Sequence, residues 1–181
     1  KQISFFTNIS GTNAKKTIPN TLINIKTNNK IYFFSNKYET WEWHRDNARN
    51  MRDNGRNMGY ELVCFNNKEE NDFIQKKYRR THWIGLYHKN VDRGIYSGTR
   101  SIENNAGWKW VDGTPYEKNK SNWSGGEPNN CCRGEPVINL WSNGKWNDHN
   151  FYAKMPAVYQ KKIQNTKDKL NYYNGEQIID F

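Results

Sequence analysis

The side chains of Glu127, Asn129, Glu135, Asn147 and Asp148 are three carboxylates and two carboxamides, all hard oxygen donors, and they crowd the stretch from Trp123 to Asp148. That donor set suits Ca2+, which takes six to eight oxygens from mixed carboxylate, amide and carbonyl ligands. The same stretch carries only two bases, Arg133 and Lys145, so it is net negative in a chain whose formal charge is +10. Three carboxylates held together repel one another unless a cation intervenes. A thiol–imidazole nucleophile, Cys131 or Cys132 with His149, is the other chemistry these residues could carry. No third group to orient the imidazole and no oxyanion element accompanies it, so an enzyme is not expected.

The donors need a scaffold. Residues 112–135 carry Gly, Pro, Asn and Ser with little periodicity, a long loop region of the kind that usually serves function. Ahead of it, Ile31-Tyr32-Phe33-Phe34 reads as a strand. Thr40 caps a helix expected to run to the Asn54-Gly55 stop, with Trp41, His44, Ala48 and Met51 on one face. A strand follows at Leu62–Phe65. Asn67, with Glu70 three residues on, marks a second helix with a capping box, and Phe73 and Ile74 form its modest apolar face.

After Arg80 the pattern becomes short β segments at 83–87, 108–111, 137–141, 145–146 and 155–159. Asn143-Gly144 suits a two-residue hairpin. Trp83, Trp108, Trp110 and Trp141 lie on these strands and are expected in the core, as is Trp123, whereas His149 reads as a surface residue. The expectation is an α+β domain over residues 31–160. Residues 1–30, with β-like runs at 3–6 and 22–25, read as a flank or edge strand, and residues 161–181 as a polar tail or linker.

In this order, several motifs resemble the C-type lectin-like domain, specifically its mannose-type sugar binders. They are the aromatic strand and Thr40-Trp41 helix, Trp83-Ile84-Gly85-Leu86, Trp108-Lys109-Trp110-Val111-Asp112-Gly113-Thr114-Pro115, Asn122-Trp123, Glu127-Pro128-Asn129 and Trp146-Asn147-Asp148. The resemblance implies two helices, antiparallel sheets and a long loop region carrying a Ca2+ site. It implies that Glu127, Asn129, Glu135, Asn147 and Asp148 hold the ion, with the Pro128 peptide cis, and that Glu127, Asn129, Glu135 and Asn147 also touch the sugar. The Glu-Pro-Asn order resembles the mannose type, which favours equatorial vicinal hydroxyls; galactose-type relatives read Gln-Pro-Asp. Family members usually carry two disulfides. Here Ala48 and Tyr159 stand at the positions of the long bridge, and Val137 and Phe151 at those of the loop-pinning bridge, so packing is expected to replace both. Insertions separate Ala48 from Gly59 and lengthen Tyr87–Gly107. Asn130 and Pro136 replace acids common in an auxiliary calcium site, so only one ion is expected.

Composition bounds the remaining classes. The chain has 181 residues, room for one ordinary domain, with 34% apolar residues but 15% aromatic, including eight Trp. A core must therefore be built from large rings, and the aromatic content argues against disorder. No apolar run reaches the ~18 residues of a spanning helix, so no membrane insertion is expected. The chain opens at Lys1 without a charged-then-apolar leader, as a mature or excised segment would. The positive charge reads as a Lys- and Asn-rich background with a solvated face, and no nucleic-acid motif accompanies it. Of three cysteines, Cys64 sits in an apolar run and reads as a small buried hydrophobe; the vicinal pair reads as loop residues or a bridge to a partner chain. The resulting expectation is a secreted or cell-surface glycan binder serving adhesion or glycan recognition, with an oligomer or tandem array supplying avidity. The alternative is a calcium-organised domain that binds a protein or an ice surface.

Overall fold

The computed structural model describes residues 22–27, 30–53, 55–89, 107–131 and 134–163. Its elements run β1 (Leu22–Thr27), β2 (Lys30–Glu39), α1 (Trp41–Arg49), β3 (Arg52–Asp53), β4 (Arg56–Asn57), β5 (Glu61–Leu62), α2 (Lys68–Lys77), β6 (His82–His88), β7 (Trp108–Trp110), a 3-10 turn at Lys118–Lys120, β8 (Val137–Leu140), β9 (Trp146–His149) and β10 (Met155–Lys162). One sheet has the order β1-β2-β10-β6-β8-β9, with β5 joined to β10 and β7 to β6. Its pairings are antiparallel except β10 with β6, where Ala157 lies opposite Trp83, so the sheet is mixed. The Ile3–Phe6 run expected to be β-like lies outside the described residues, whereas Leu22–Thr27 is an edge strand on β2.

The aromatic strand is buried on both faces. Tyr32 and Phe34 enter a core with Ile74, Trp110, Ile138 and Trp146. Phe33 points the other way, into a core with Trp41, Trp83, Val137 and Tyr159. That two-sided burial explains why the sequence there is continuously apolar rather than alternating. Ala48, Val137 and Tyr159 are buried in this second core and Phe151 packs against it, so all four residues at the family's bridge positions share one apolar cluster.

Several boundaries differ from those expected. Helix α1 stops at Arg49, capped by Asn50 (φ −94°, ψ 2°), because the chain then turns into the β3–β4 hairpin around Gly55. Met51 is therefore beyond the helix, half-buried against the second core. Strand β5 covers only Glu61–Leu62. Val63 instead spans two strands, its N–H donating to Val158 O (2.9 Å) and its carbonyl accepting from Gly85 N–H (2.7 Å). A Cβ on Gly85 would stand 2.8 Å from Val111 Cγ2 and 2.9 Å from Leu62 O, so this crossing requires glycine. The β8–β9 connection is a three-residue loop, closed by Trp141 N–H to Lys145 O (2.8 Å) with Gly144 at φ +85°, rather than a two-residue turn. Trp141 at its edge is half-exposed, unlike the fully buried Trp83.

Both helix caps form as read. Thr40 Oγ1 accepts from Trp43 N–H (3.2 Å), and Asn67 Oδ1 from Glu70 N–H (2.9 Å). Glu70 does not reach back to the Asn67 backbone. Its carboxylate accepts from Asn66 N–H (2.8 Å) and from Lys30 Nζ (3.0 Å), and Lys30 also donates to Cys64 O (2.9 Å). Both charges are buried, so each is tolerable only with its partner. Lys30→Met should therefore cost about 3 kcal/mol in urea unfolding by taking the ammonium away from the buried Glu70 carboxylate, and adding Glu70→Gln should recover part of it. A midpoint unchanged by Lys30→Met would show that the pair contributes nothing.

Candidate functional site

The donor side chains are arranged around the β8–β9 ladder and the loop that enters it. Asp148 lies on β9 opposite Ile138, and Asn147 opposite Asn139. Trp146, one residue earlier, anchors the neighbouring loop: its N–H donates to Asn122 O (2.9 Å) and its carbonyl accepts from Ser124 N–H (2.9 Å). Its indole N–H donates to Asn71 Oδ1 (2.7 Å) on α2. The strand that presents Asn147 and Asp148 is thus fixed from both sides.

Asp148 is completely buried and organises the approaching loop. Its Oδ1 accepts from Asn129 N–H (3.1 Å) and its Oδ2 from Asn130 N–H (2.7 Å). The Glu127-Pro128 peptide is cis. Asn130 adopts φ +48°, a left-handed conformation that Asn tolerates better than most residues. From there its Oδ1 accepts from Glu135 N–H (3.0 Å), closing the loop on itself. Cys131 N–H donates both to Asn129 Oδ1 (2.8 Å) and to Glu135 Oε2 (2.9 Å). Asn147 donates through Nδ2 to Asn139 Oδ1 (3.2 Å). The fold thus brings Glu127, Asn129, Glu135 and Asp148 together, with Asn147 adjacent on β9.

Burial and mutual repulsion disfavour the charged forms of these carboxylates. Burial and the neighbouring Asp148 raise the Glu127 carboxyl above its ordinary range. Burial raises Asp148, with Glu135 adding to the effect against the two backbone N–H donors that lower it. Glu135 is raised by burial and by Glu127. Glu127 Oε2 is buried without a hydrogen-bond partner among the described residues. A buried carboxylate oxygen with no proton donor is costly unless a cation completes it. Hard oxygens, a local excess of negative charge and an orphaned acceptor fit Ca2+.

Sequence reading missed two supporting residues. Asn139 holds Asn147 through Oδ1 while its Nδ2 lies 3.4 Å from Met155 Sδ. Asn130 supplies the loop closure, and its signal was an Asn two residues after a proline. A further group, Glu61, Cys64 and Asp112, brings its donor atoms within 4.8 Å of one another on the opposite side of β6 from β8. There Lys162 Nζ already stands 2.9 Å from Asp112 Oδ2, so a cation of the chain itself occupies that position. Opposite ligands of a calcium at 2.3–2.6 Å stand about 5 Å apart, so the Glu127–Asp148 donors have no need of so tight a cluster.

Cys64 is a free, fully buried thiol, and burial raises its pKa well above the ordinary value. Cys131, an exposed loop residue, is disulfide-bonded and so is not the free thiol that a Cys-His nucleophile needs. Cys132 lies outside the described residues. Trp123 is half-buried, donating its indole N–H to Tyr116 Oη (2.9 Å) and packing on the Trp108 and Trp146 rings. His149 is half-buried, edge-on to Trp83.

A mixed α+β sheet with a loop-borne acidic site of this kind defines a C-type lectin domain, and the family model for that domain matches residues 44–161. The chain belongs to this family. It is 33% identical over 134 residues to human C-type lectin domain family 4 member C, covering 73% of this chain and 52% of that protein. It is 36% identical over 94 residues to mouse asialoglycoprotein receptor 2, covering 49% of this chain and 26% of the receptor. Among solved structures, the carbohydrate-recognition domain of cow CD23, determined with a GlcNAc2Man3 oligosaccharide, superposes with a TM-score of 0.61 at 26% identity, covering 82% of this chain and 98% of that one. The chain spans about half the length of the human relative. These relatives are binding proteins rather than enzymes, and membership supports carbohydrate recognition in general. No helix among the described residues is long and apolar enough to cross a membrane.

Proposed function

We propose that this domain binds glycans through Ca2+ and prefers mannose-type sugars, acting at a cell surface or in secreted form. The observation that carries the reading is the convergence of Glu127, Asn129 and Glu135 on Asp148, with one buried glutamate oxygen left without a donor among the described residues. Glu127, Asn129, Glu135, Asn147 and Asp148 would hold the ion, which when bound attracts sugar hydroxyl oxygens. The chain's own side chains then read those hydroxyls. The Asn129 and Asn147 amides donate to a hydroxyl oxygen, and the Glu127 and Glu135 carboxylates accept from hydroxyl protons. Each of two vicinal hydroxyls would thus face one donor and one acceptor, an arrangement that neighbouring equatorial hydroxyls satisfy together. Single sites of this kind are weak, so avidity would come from several copies.

A glycan array probed in millimolar calcium and again in EDTA tests the reading. Mannose-type binding should appear only with calcium, and calcium should raise the melting temperature by an amount equivalent to about 2.7 kcal/mol at one hundred times its Kd. Identical melting midpoints with calcium and with EDTA would remove the metal site. A calcium-induced shift with no glycan bound would favour a protein or ice ligand at the same ion.

Sugar choice is tested by exchanging Glu127→Gln together with Asn129→Asp. Side-chain oxygens and total charge stay available to calcium, but the hydroxyl that donated to Glu127 meets an amide and its neighbour a carboxylate. A mismatched charged hydrogen bond costs roughly 1.5–3 kcal/mol, so mannose binding should weaken at least about tenfold in calorimetry with saturating calcium. Unchanged mannose affinity would mean that the sugar binds elsewhere.

A further inference from the structure

Among the described residues, several cations read in the sequence as background follow one another at the end of α2. Helix α2 is polarised, with Glu69 and Glu70 in its first turn and Lys76 and Lys77 in its last, and Arg79 and Arg80 follow immediately. The helix dipole favours cations in that last turn, but the two arginines lie beyond it. Lys76, Arg79 and Arg80 are all exposed, as is Lys37 on the adjoining end of β2. Among the described residues, none of Lys37, Lys76, Arg79 and Arg80 has a carboxylate within ion-pairing distance. Three acids of the neighbouring elements pair elsewhere: Asp72 with Lys68, Glu39 with Lys154 (3.1 Å) and Glu70 with the buried Lys30 (3.0 Å).

The backbone that carries these cations is held rigidly. Tyr78 packs on Phe34 and donates its hydroxyl to Ser35 O (3.1 Å) and Asn36 Oδ1 (2.9 Å). Arg80 N–H donates to Tyr78 O (2.8 Å), and the Arg80 carbonyl accepts from His82 Nδ1 (2.6 Å). The Arg80 guanidinium reaches Asn36 Oδ1 (3.5 Å) at the end of β2. Lys37 Nζ lies over the Trp43 ring at 4.3 Å. The surface also stands apart from the acidic site. His82 pairs with Leu140 at the end of β8 remote from Val137, the residue through which the acidic loop enters the sheet.

We propose that Lys76, Arg79 and Arg80 form a second, calcium-independent site that binds sulfated polysaccharide. Exposed, unneutralised cations match a flexible chain that carries sulfates along its length. Arginine adds planar, paired donation to the oxygens of such an anion. A nucleic acid would be served by a groove with aromatic platforms for bases, and the large aromatic exposed beside this surface is Tyr38.

Binding of the intact chain to heparin, in EDTA and over a salt series, tests the site. Saturable, salt-sensitive binding is expected without calcium, and neutral dextran should not compete. The triple variant Lys76→Gln, Arg79→Gln, Arg80→Gln should bind at least about tenfold more weakly and with a shallower salt dependence. A control triple with the same change in charge, Arg52→Gln, Arg56→Gln, Lys109→Gln, should change affinity less than about threefold. The variants alter exposed side chains only, and their melting temperatures report that the fold is kept. The proposal is overturned if both triples weaken binding equally, if binding requires calcium, or if a DNA duplex or phosphatidylserine vesicles at equal charge bind more tightly than heparin. Because the readout is taken in EDTA, its failure leaves the calcium reading untouched.

Discussion

Replacing Asp148 with Ala is expected to abolish calcium-dependent glycan binding and the calcium-induced rise in melting temperature together. Asp148 is the fully buried centre of the candidate site, with one oxygen on Asn129 N–H and the other on Asn130 N–H. Hydrogen bonds to a charged group contribute roughly 1.5–3 kcal/mol each, so the loop that places Glu127, Asn129 and Glu135 loses its anchor. The ion loses a carboxylate at the same time. Asp148→Asn separates the two roles, since it retains the side chain's size and one acceptor while removing the charge. Calorimetry with calcium should show binding lost in both variants, and amide exchange at Asn129 and Asn130 should increase more in the alanine variant. Wild-type calcium affinity in Asp148→Ala would eliminate this site as the place where the ion binds.

Acidification from pH 7.5 to 4.5 is expected to destabilise the calcium-free domain strongly, chiefly through the fully buried His44 and His82. His44 Nε2 faces two carbonyls, Met155 O (2.9 Å) and Lys37 O (3.0 Å), so that nitrogen carries the proton and Nδ1 accepts from the Tyr159 hydroxyl (2.7 Å). His82 donates through Nδ1 to Arg80 O, and its buried Nε2 has no hydrogen-bond partner among the described residues. A second proton would displace an acceptor in the first ring and find none in the second. Burial accordingly lowers both pKa values to about 4. The unfolded chain, titrating near 6.5, binds more protons than the native state between those limits. Stability is therefore full above about pH 6.5 and is lost as pH falls through about 4. Each shift corresponds to about 3 kcal/mol.

The three carboxylates oppose this trend. Their raised folded pKa values contribute stability at low pH that disappears as pH rises through those values, and bound calcium would reverse their contribution. Urea unfolding in EDTA at pH 7.5, 6.0 and 4.5 measures the balance, and His44→Gln should remove about half of the proton linkage. A flat stability profile over this range would show that these rings titrate normally.

The donor chemistry was legible in the residues themselves. Carboxylates and amides at 127, 129, 135, 147 and 148 fall in a net negative stretch of a basic chain, and no packing is needed to recognise hard oxygen ligands. Most of the longer strands and both helix starts were also visible, because side-chain periodicity and an Asn or Thr acting on the next turn are local properties, whereas the β3–β4 hairpin was read as helix. Where each element ends was not local. Helix α1 yields to a hairpin, and Val63 leaves its strand to join β10 and β6, because those backbone groups find partners distant in sequence.

Tertiary structure alone decided which polar groups share one space. Asp148 gathers the N–H groups of a loop some twenty residues earlier, Lys30 is buried to meet Glu70, and Asn139 supports Asn147 across a ladder. Charge behaves the same way. A basic composition indicates only an excess of cations, while the end of α2 and the turn after it determine where those cations stand unneutralised. Residue type sets what a side chain can do, but the distances and the solvent exclusion that control its strength exist only once the chain has folded.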